Sequence, residues 1–291
     1  MELVRLHPFS RCHAIKILFH DVDGCLNTID GLPLPFVEGG FVDEQIASLE
    51  TLGQCLDASC VDVLALNTGR SLDSSLIIAD AINSEKLKYI VAEHGAVGYR
   101  LDTQELIDFE LLSRELPELQ PFYQSVVNIP KLITWYQERG MQQLALEIGY
   151  EIEAASKIAN LTLPVPEGVC GKGMNKVLKE LIEFDSPMAG HLLVYHHSVS
   201  DGYVDIMTEV DKGTGARLIC QLESEYCAES ELETFAVGNG TNDVSLFQVV
   251  DNIICPQNSD QEIIDICSED NGLVSEFAYV DATTQWLKSL G

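Results

Sequence analysis

The chain has 291 residues, 46% hydrophobic and 22% charged, with 17 Lys and Arg against 46 Asp and Glu for a formal charge of -29. That balance suits an ordinary folded globular chain with room for two cores, and a field this negative argues against nucleic acid and anionic membranes as partners. No apolar run approaches the roughly eighteen residues a bilayer span needs, and Met1 to Ser10 lacks a secretory apolar block, so a cytoplasmic location is expected.

The first predicted element is the apolar run Ala14-Ile15-Lys16-Ile17-Leu18-Phe19, a buried strand that ends in Asp21-Val22-Asp23-Gly24. Side chains at i and i+2 of an extended chain share a face, so Asp21 and Asp23 face one small volume beyond the strand's carboxyl end. Open α/β sheets bind ligands there. One carboxylate in such a pair can attack phosphorus while the other handles the leaving group's proton, and a divalent cation offsets the repulsion between anions. A plain surface Asp-Gly turn is the competing reading. A calcium loop fails, because its sixth and twelfth positions counted from Asp21 hold Leu26 and Leu32 instead of glycine and glutamate.

A helix-like stretch from Asp43 to Leu56 follows, then a strand-like run from Val61 to Leu66 that breaks into Asn67-Thr68-Gly69-Arg70-Ser71 before a helix-like stretch from Asp73 to Asn83. Thr68 at the strand's end offers a hydroxyl to a phosphate oxygen, Gly69 allows close backbone approach, and the next helix presents free amides. A Thr-Gly pair alone is a common strand-to-helix turn. Lys88 to Ala92 is the next strand-like run.

From Gly98 to Thr208 these chemical patterns are absent, and about a hundred residues is too long for a loop in a compact unit. The expected organisation is therefore a core from residues 1–98 plus 209–291 and an inserted α/β unit over 99–208. The insert reads as helices at Leu119 to Val127, Lys131 to Arg139, Glu153 to Asn160 and Lys172 to Glu183, with strands at Gln143 to Ile148, Leu192 to His197 and Gly202 to Met207. Its candidate ligand contacts are Glu147, Tyr150, Lys157, Lys172, His196 and His197, each also at home in a structural or solvent role. Gly168 to Gly173 does not match a nucleotide-binding glycine loop, since Met174 stands where a hydroxyl is needed.

Asp211-Lys212-Gly213 opens a helix-like stretch from Gly213 to Glu225, so Lys212 can bring a cation to a helix's first turn. An acidic cluster from Glu223 to Glu233 reads as a solvated face. A strand-like run from Thr234 to Val237 then breaks into Gly238-Asn239-Gly240-Thr241-Asn242-Asp243, whose oxygen ligands suit magnesium. Helix-like Asp243 to Val250, strand-like Asp251 to Cys255, helix-like Asp260 to Ser268, strand-like Phe277 to Val280 and helix-like Thr283 to Leu290 complete the chain. Strands alternating with helices imply a parallel sheet covered on both faces. The nine cysteines are odd in number and lack Cys-x-x-Cys or zinc-like spacing, as expected of reduced thiols.

Four motifs in this order resemble those of the haloacid dehalogenase-like superfamily of aspartyl-phosphate-forming hydrolases: Asp-x-Asp-Gly, Thr-Gly-Arg, Lys-Gly, then Gly-Asp-x-x-Asn-Asp. The resemblance spans Asp21 to Asp243 and implies a Rossmann-like core, magnesium as cofactor and a small phosphorylated substrate. It implies Asp21 as nucleophile and metal ligand, and Asp23 as acid/base and a metal ligand through its carbonyl. It further implies Thr68, Gly69, Arg70, Lys212 and Asn242 around the transferred phosphate, and Asp243 at the metal. Lys172 is the alternative for the motif's lysine; the strand-like run before Lys212 and its closeness to the fourth motif favour Lys212. Two departures stand out. Cys25 replaces the usual threonine or valine, and Asn239 holds the position of a metal-binding aspartate, which removes one negative charge. An α/β insert between the second and third motifs resembles the large cap of the IIB subclass, which includes sugar-phosphate phosphatases, and Ala92-Glu93-His94-Gly95-Ala96 is similar to a stretch in trehalose-phosphate phosphatases. A sugar-phosphate phosphatase is thus expected, with a phosphomutase or a non-catalytic phosphosugar-binding protein as alternatives.

Overall fold

The computed structural model describes residues 14–27, 31–35, 39–116, 157–164, 192–196, 203–208, 210–224 and 231–290. In chain order these form β1 (Ile15–His20), α1 (Asp43–Ala58), β2 (Val63–Asn67), α2 (Leu72–Ile82), β3 (Leu87–Ala92), β4 (Val97–Arg100), β5 (Glu105–Ile107) and α3 (Phe109–Leu112). The remaining elements are β6 (Leu161–Pro164), β7 (Leu192–His196), β8 (Tyr203–Thr208), α4 (Lys212–Ser224), β9 (Leu232–Val237), α5 (Val244–Phe247), β10 (Asn252–Cys255), α6 (Gln261–Glu269), β11 (Leu273–Val274) and α7 (Tyr279–Leu290).

The molecule is α/β. Its main sheet has eight strands in the order β11-β10-β9-β1-β2-β3-β4-β5, parallel from β11 to β3 and antiparallel at β4 and β5. All five residues of β2 are buried, as a central parallel strand covered on both faces requires. His20 at the end of β1 is in register with Leu66 on one side and Val237 on the other. The three turns that follow β9, β1 and β2 therefore leave the sheet side by side at its carboxyl edge. Ser71 caps α2 by accepting from the Ser74 amide, and Asn83 ends it in the left-handed conformation. Gly53 of α1 lies against the Ile82 carbonyl, a contact only a missing Cβ permits.

A second, antiparallel sheet has the order β6-β8-β7. The main sheet continues through β5, so residues 97–107 pair with the core and the boundary expected at Gly98 falls inside a hairpin. The expected helix from Glu153 to Asn160 does not extend over residues 157–160, which form a bend leading into β6. Within Asp243 to Val250 the helix is only the short α5, preceded by a 3-10 turn over Thr241–Asp243. Phe277 to Val280 is not a strand: the Asn258 side chain accepts from the Tyr279 amide, and α7 begins there, burying Val280, Ala282, Thr283 and Leu287 on one face. The other helices expected between 117 and 191 lie outside the described residues.

Candidate active site

Lys212 stands in the first turn of α4 with no exposed surface, its Nζ 2.6 Å from Asp21 Oδ1 and 2.7 Å from Asp243 Oδ1. Three motifs far apart in sequence thus meet on one ammonium. Each partner is fixed from behind. The Asp21 amide donates to the Val237 carbonyl (2.9 Å), tying the turn after β1 to β9. Asp243 Oδ2 accepts from the amides of Asn239 and Gly240, which folds the fourth motif around it, and Asn67 Nδ2 donates to the Lys212 carbonyl.

Two carboxylates and one ammonium leave this buried cluster short of one positive charge. Burial, then the Asp243 charge, push the Asp21 carboxyl upward, and the Lys212 ammonium pulls the other way. Burial alone would strip Lys212 of its proton, but Asp21 and Asp243 outweigh it and hold the ammonium above its usual value. His20, also fully buried, lies between the Asp21 carbonyl and the Thr283 hydroxyl, and burial lowers its pKa to about 4. It is neutral, and a neutral ring donates Nδ1–H to the carbonyl while Nε2 accepts from the hydroxyl.

Asp23 is half exposed and held by Arg70: the guanidinium Nε is 2.9 Å from Asp23 Oδ2, and Nη2 is 2.6 Å from Oδ1. The rest of the fork donates to the carbonyls of Leu34 and Pro35. Arg70, expected at the phosphate, is in this geometry the partner of Asp23. Thr68 is fully buried, and its Oγ1 accepts from the Arg70 amide. Gly69 sits beneath the His94 ring, where a Cβ would collide with the ring atoms Cε1 and Nε2. Asn242 is half-buried in the turn before α5.

The Asn239 carboxamide lies against Gly24 and accepts from the Cys25 thiol through Oδ1 at 3.3 Å. That places an oxygen ligand directly beside the Asp21-to-Gly24 turn. The Asp21 carboxylate, the Asp23 carbonyl and the Asn239 carboxamide are hard oxygen donors of the kind magnesium takes, and a cation bound there would balance the excess negative charge. Asp243, expected at the metal, directs its oxygens to Lys212 and to the amides of Asn239 and Gly240. Among the described residues no three His, Cys, Asp or Glu side chains are grouped to hold a metal ion.

Lys172, Glu147, Tyr150 and His197 lie outside the described residues, as do the side-chain surroundings of His196. Lys157 is buried, its charge acting on Glu93. Sequence reasoning missed Glu93 and His20 as parts of the site's frame. Only the Glu93-His94-Gly95 run gave a signal, and it gave no role.

Residues 172–273 match the family model of haloacid dehalogenase-like hydrolases. No curated protein sequence matches the chain. Several solved structures share its fold. Protein 0175 of Thermoplasma acidophilum is 15% identical with a TM-score of 0.60, covering 96% of this chain and 99% of its own. The sucrose-phosphatase of Synechocystis sp. PCC6803, solved with sucrose and phosphate, is 16% identical with a TM-score of 0.57, covering 96% and 98%. The phosphatase BT1666 of Bacteroides thetaiotaomicron is 18% identical with a TM-score of 0.54, covering 99% of each chain.

Proposed function

Starting from a chain with the haloacid dehalogenase-like fold, and with that family's sequence pattern over residues 172–273, we propose that it is a magnesium-dependent phosphatase of the IIB cap subclass acting on a small phosphate ester, a sugar phosphate by preference. The observation that carries this reading is the Lys212 ammonium bridging Asp21 and Asp243 at the carboxyl edge of the sheet. It fixes one carboxylate oxygen of Asp21 and leaves the other as a nucleophile.

Asp21, Asn239 and the Asp23 carbonyl would hold the cation, which supplies charge neutralisation for the transferred phosphoryl group. Thr68, Lys212 and Asn242 donate to the phosphate oxygens. Asp21 attacks phosphorus in line, the bond to the departing alkoxide breaks, and Asp23 gives that oxygen its proton. Asp23 then takes a proton from water, whose oxygen attacks the aspartyl phosphate and releases inorganic phosphate and free Asp21. Arg70 donates to both Asp23 oxygens, so one of these bonds would open for Asp23 to carry the proton while the other keeps it aimed. The three-stranded sheet β6-β8-β7 would form part of the substrate-choosing cap over a core that runs on through β4 and β5.

The test is phosphate release from a panel of hexose phosphates, polyol phosphates and p-nitrophenyl phosphate with magnesium, by wild type and Asp21→Asn. The variant should fold and lose at least about a thousandfold in kcat, the scale of a removed nucleophile. Wild-type activity in the variant would sink the assignment. Isomerised substrate without phosphate release would make the chain a mutase. Calorimetric binding of a hexose phosphate with no turnover would make it a binding protein, the alternative that the charge lost at Asn239 raises.

A further inference from the structure

Glu93 is fully buried, and its carboxylate bonds to a segment at least 65 residues further along the chain. Oε1 accepts from the Ile158 amide at 2.9 Å, and Oε2 accepts from the amides of Ala159 at 2.7 Å and Asn160 at 2.9 Å. Three consecutive amides converge on one acid, the geometry of an anion-holding turn with a side chain in place of a free anion. On its other side Glu93 is bound to the phosphate-side turn, since its amide donates to the Arg70 carbonyl and the His94 amide donates to the Thr68 carbonyl. The His94 ring covers Gly69, and Gly95 packs on the Asp211 carbonyl next to Lys212.

The backbone here is held at a cost. Glu93, His94 and Gly95 have φ of 51°, 58° and 99°, three left-handed residues in succession of which only one is glycine. Such strain, of order 1 kcal/mol or more at each non-glycine residue, persists where the surroundings over-determine it. Burial pushes the Glu93 carboxyl up to about 7, with the Ile158, Ala159 and Asn160 amides and the Lys157 charge acting the other way.

The chain caught by Glu93 runs directly into β6, which pairs with β8, and β8 leads through Val210 and Asp211 to Lys212. The second sheet therefore meets the site at two points, covalently through β8 and by hydrogen bonds through β6. We propose that Glu93 is a positioning residue whose carboxylate catches the chain at the start of β6 and seats the second sheet on the Thr68-to-Arg70 turn. The substrate-choosing unit and the phosphate-holding turn are thereby placed by one side chain. The catalytic consequence rests on the phosphatase reading; the seat itself does not.

The experiment compares wild type with Glu93→Gln and Glu93→Asp in the full chain. Glutamine keeps the shape but turns an NH2 toward an amide donor, so at least one of the three bonds is lost. Hydrogen exchange at 157–164 should speed up at least about tenfold in Glu93→Gln, while the α1 and α7 segments keep their protection. KM for the best-hydrolysed hexose phosphate should rise about tenfold with kcat within about threefold, and inhibition by inorganic phosphate, which engages the core turns alone, should move less than about twofold. Glu93→Asp keeps the charge with a shorter reach and should restore part of the exchange protection; it carries the comparison if the glutamine variant does not fold. Unchanged exchange at 157–164, or loosening spread equally over the molecule, would overturn the seat. A rise in the phosphate inhibition constant equal to that in KM would overturn its specific action on the cap. Should the wild type hydrolyse nothing, the phosphatase reading falls and the exchange comparison still decides the seat.

Discussion

Glu93 is a carboxyl that lowers the stability of its own fold near neutral pH. Burial raises it from 4.5 to about 7, so the folded chain binds a proton that the unfolded chain releases within that window. Its contribution to stability is present below about pH 4.5 and is lost as pH rises through 7, about 3 kcal/mol in all. The difference in unfolding free energy between wild type and Glu93→Gln, from urea melts, should therefore fall by about that amount from pH 4.5 to 8. A flat difference would show that the carboxyl is not shifted. Asn239 invites the opposite kind of change. Asn239→Asp restores a negative charge beside Asp21, and magnesium binding by calorimetry should tighten about tenfold, as a unit charge at this range implies. No change would place the cation away from Asn239.

At the level of elements, α1 and α2 touch where Gly53 meets the Ile82 carbonyl, so close that an added methyl group would overlap the oxygen. Gly53→Ala forces the helices apart and should destabilise the chain by more than about 2 kcal/mol, seen as a lower urea midpoint. The parallel strands β1, β2, β3, β9 and β10 were legible because strands buried on both faces read as unbroken apolar runs. β4 and β5 were not, being a short hairpin whose Val97-Gly98-Tyr99-Arg100 run carries little apolar signal. The bend at 157–160 read as helix because its determinant, Glu93, is 65 residues or more away in sequence. The same limit applies to the candidate site. Asp21, Asp23, Thr68 and Lys212 could be named from motif order, but the pairing of Arg70 with Asp23 depends on where Leu34 and Pro35 put their carbonyls, which no spacing encodes.

Over the whole molecule a charge of -29 surrounds a site proposed to take an anion. Lys212 is consumed by two carboxylates and Arg70 by Asp23, so local cations do not cancel that field at a distance. Screening should therefore assist association: kcat/KM for a dianionic phosphate ester should rise about two- to threefold between about 20 and 150 mM NaCl at fixed magnesium. A fall with salt would mean that a positive funnel outweighs the acidic surface.

The register that sets β1 between β2 and β9 also has a timetable. During synthesis β1 and β2 emerge early and can pair, but the edge of β1 waits for residues 232–237, and Asp21 and Lys212 wait for Val237 and Asp243. A nascent chain on the ribosome thus carries one apolar strand edge unpaired until residues 232–237 have emerged, exposed to misassociation. The surroundings of Asp21 close only once residue 243 has cleared the exit tunnel, so a chain stalled before that point would lack the Lys212 bridge on which the proposed activity rests.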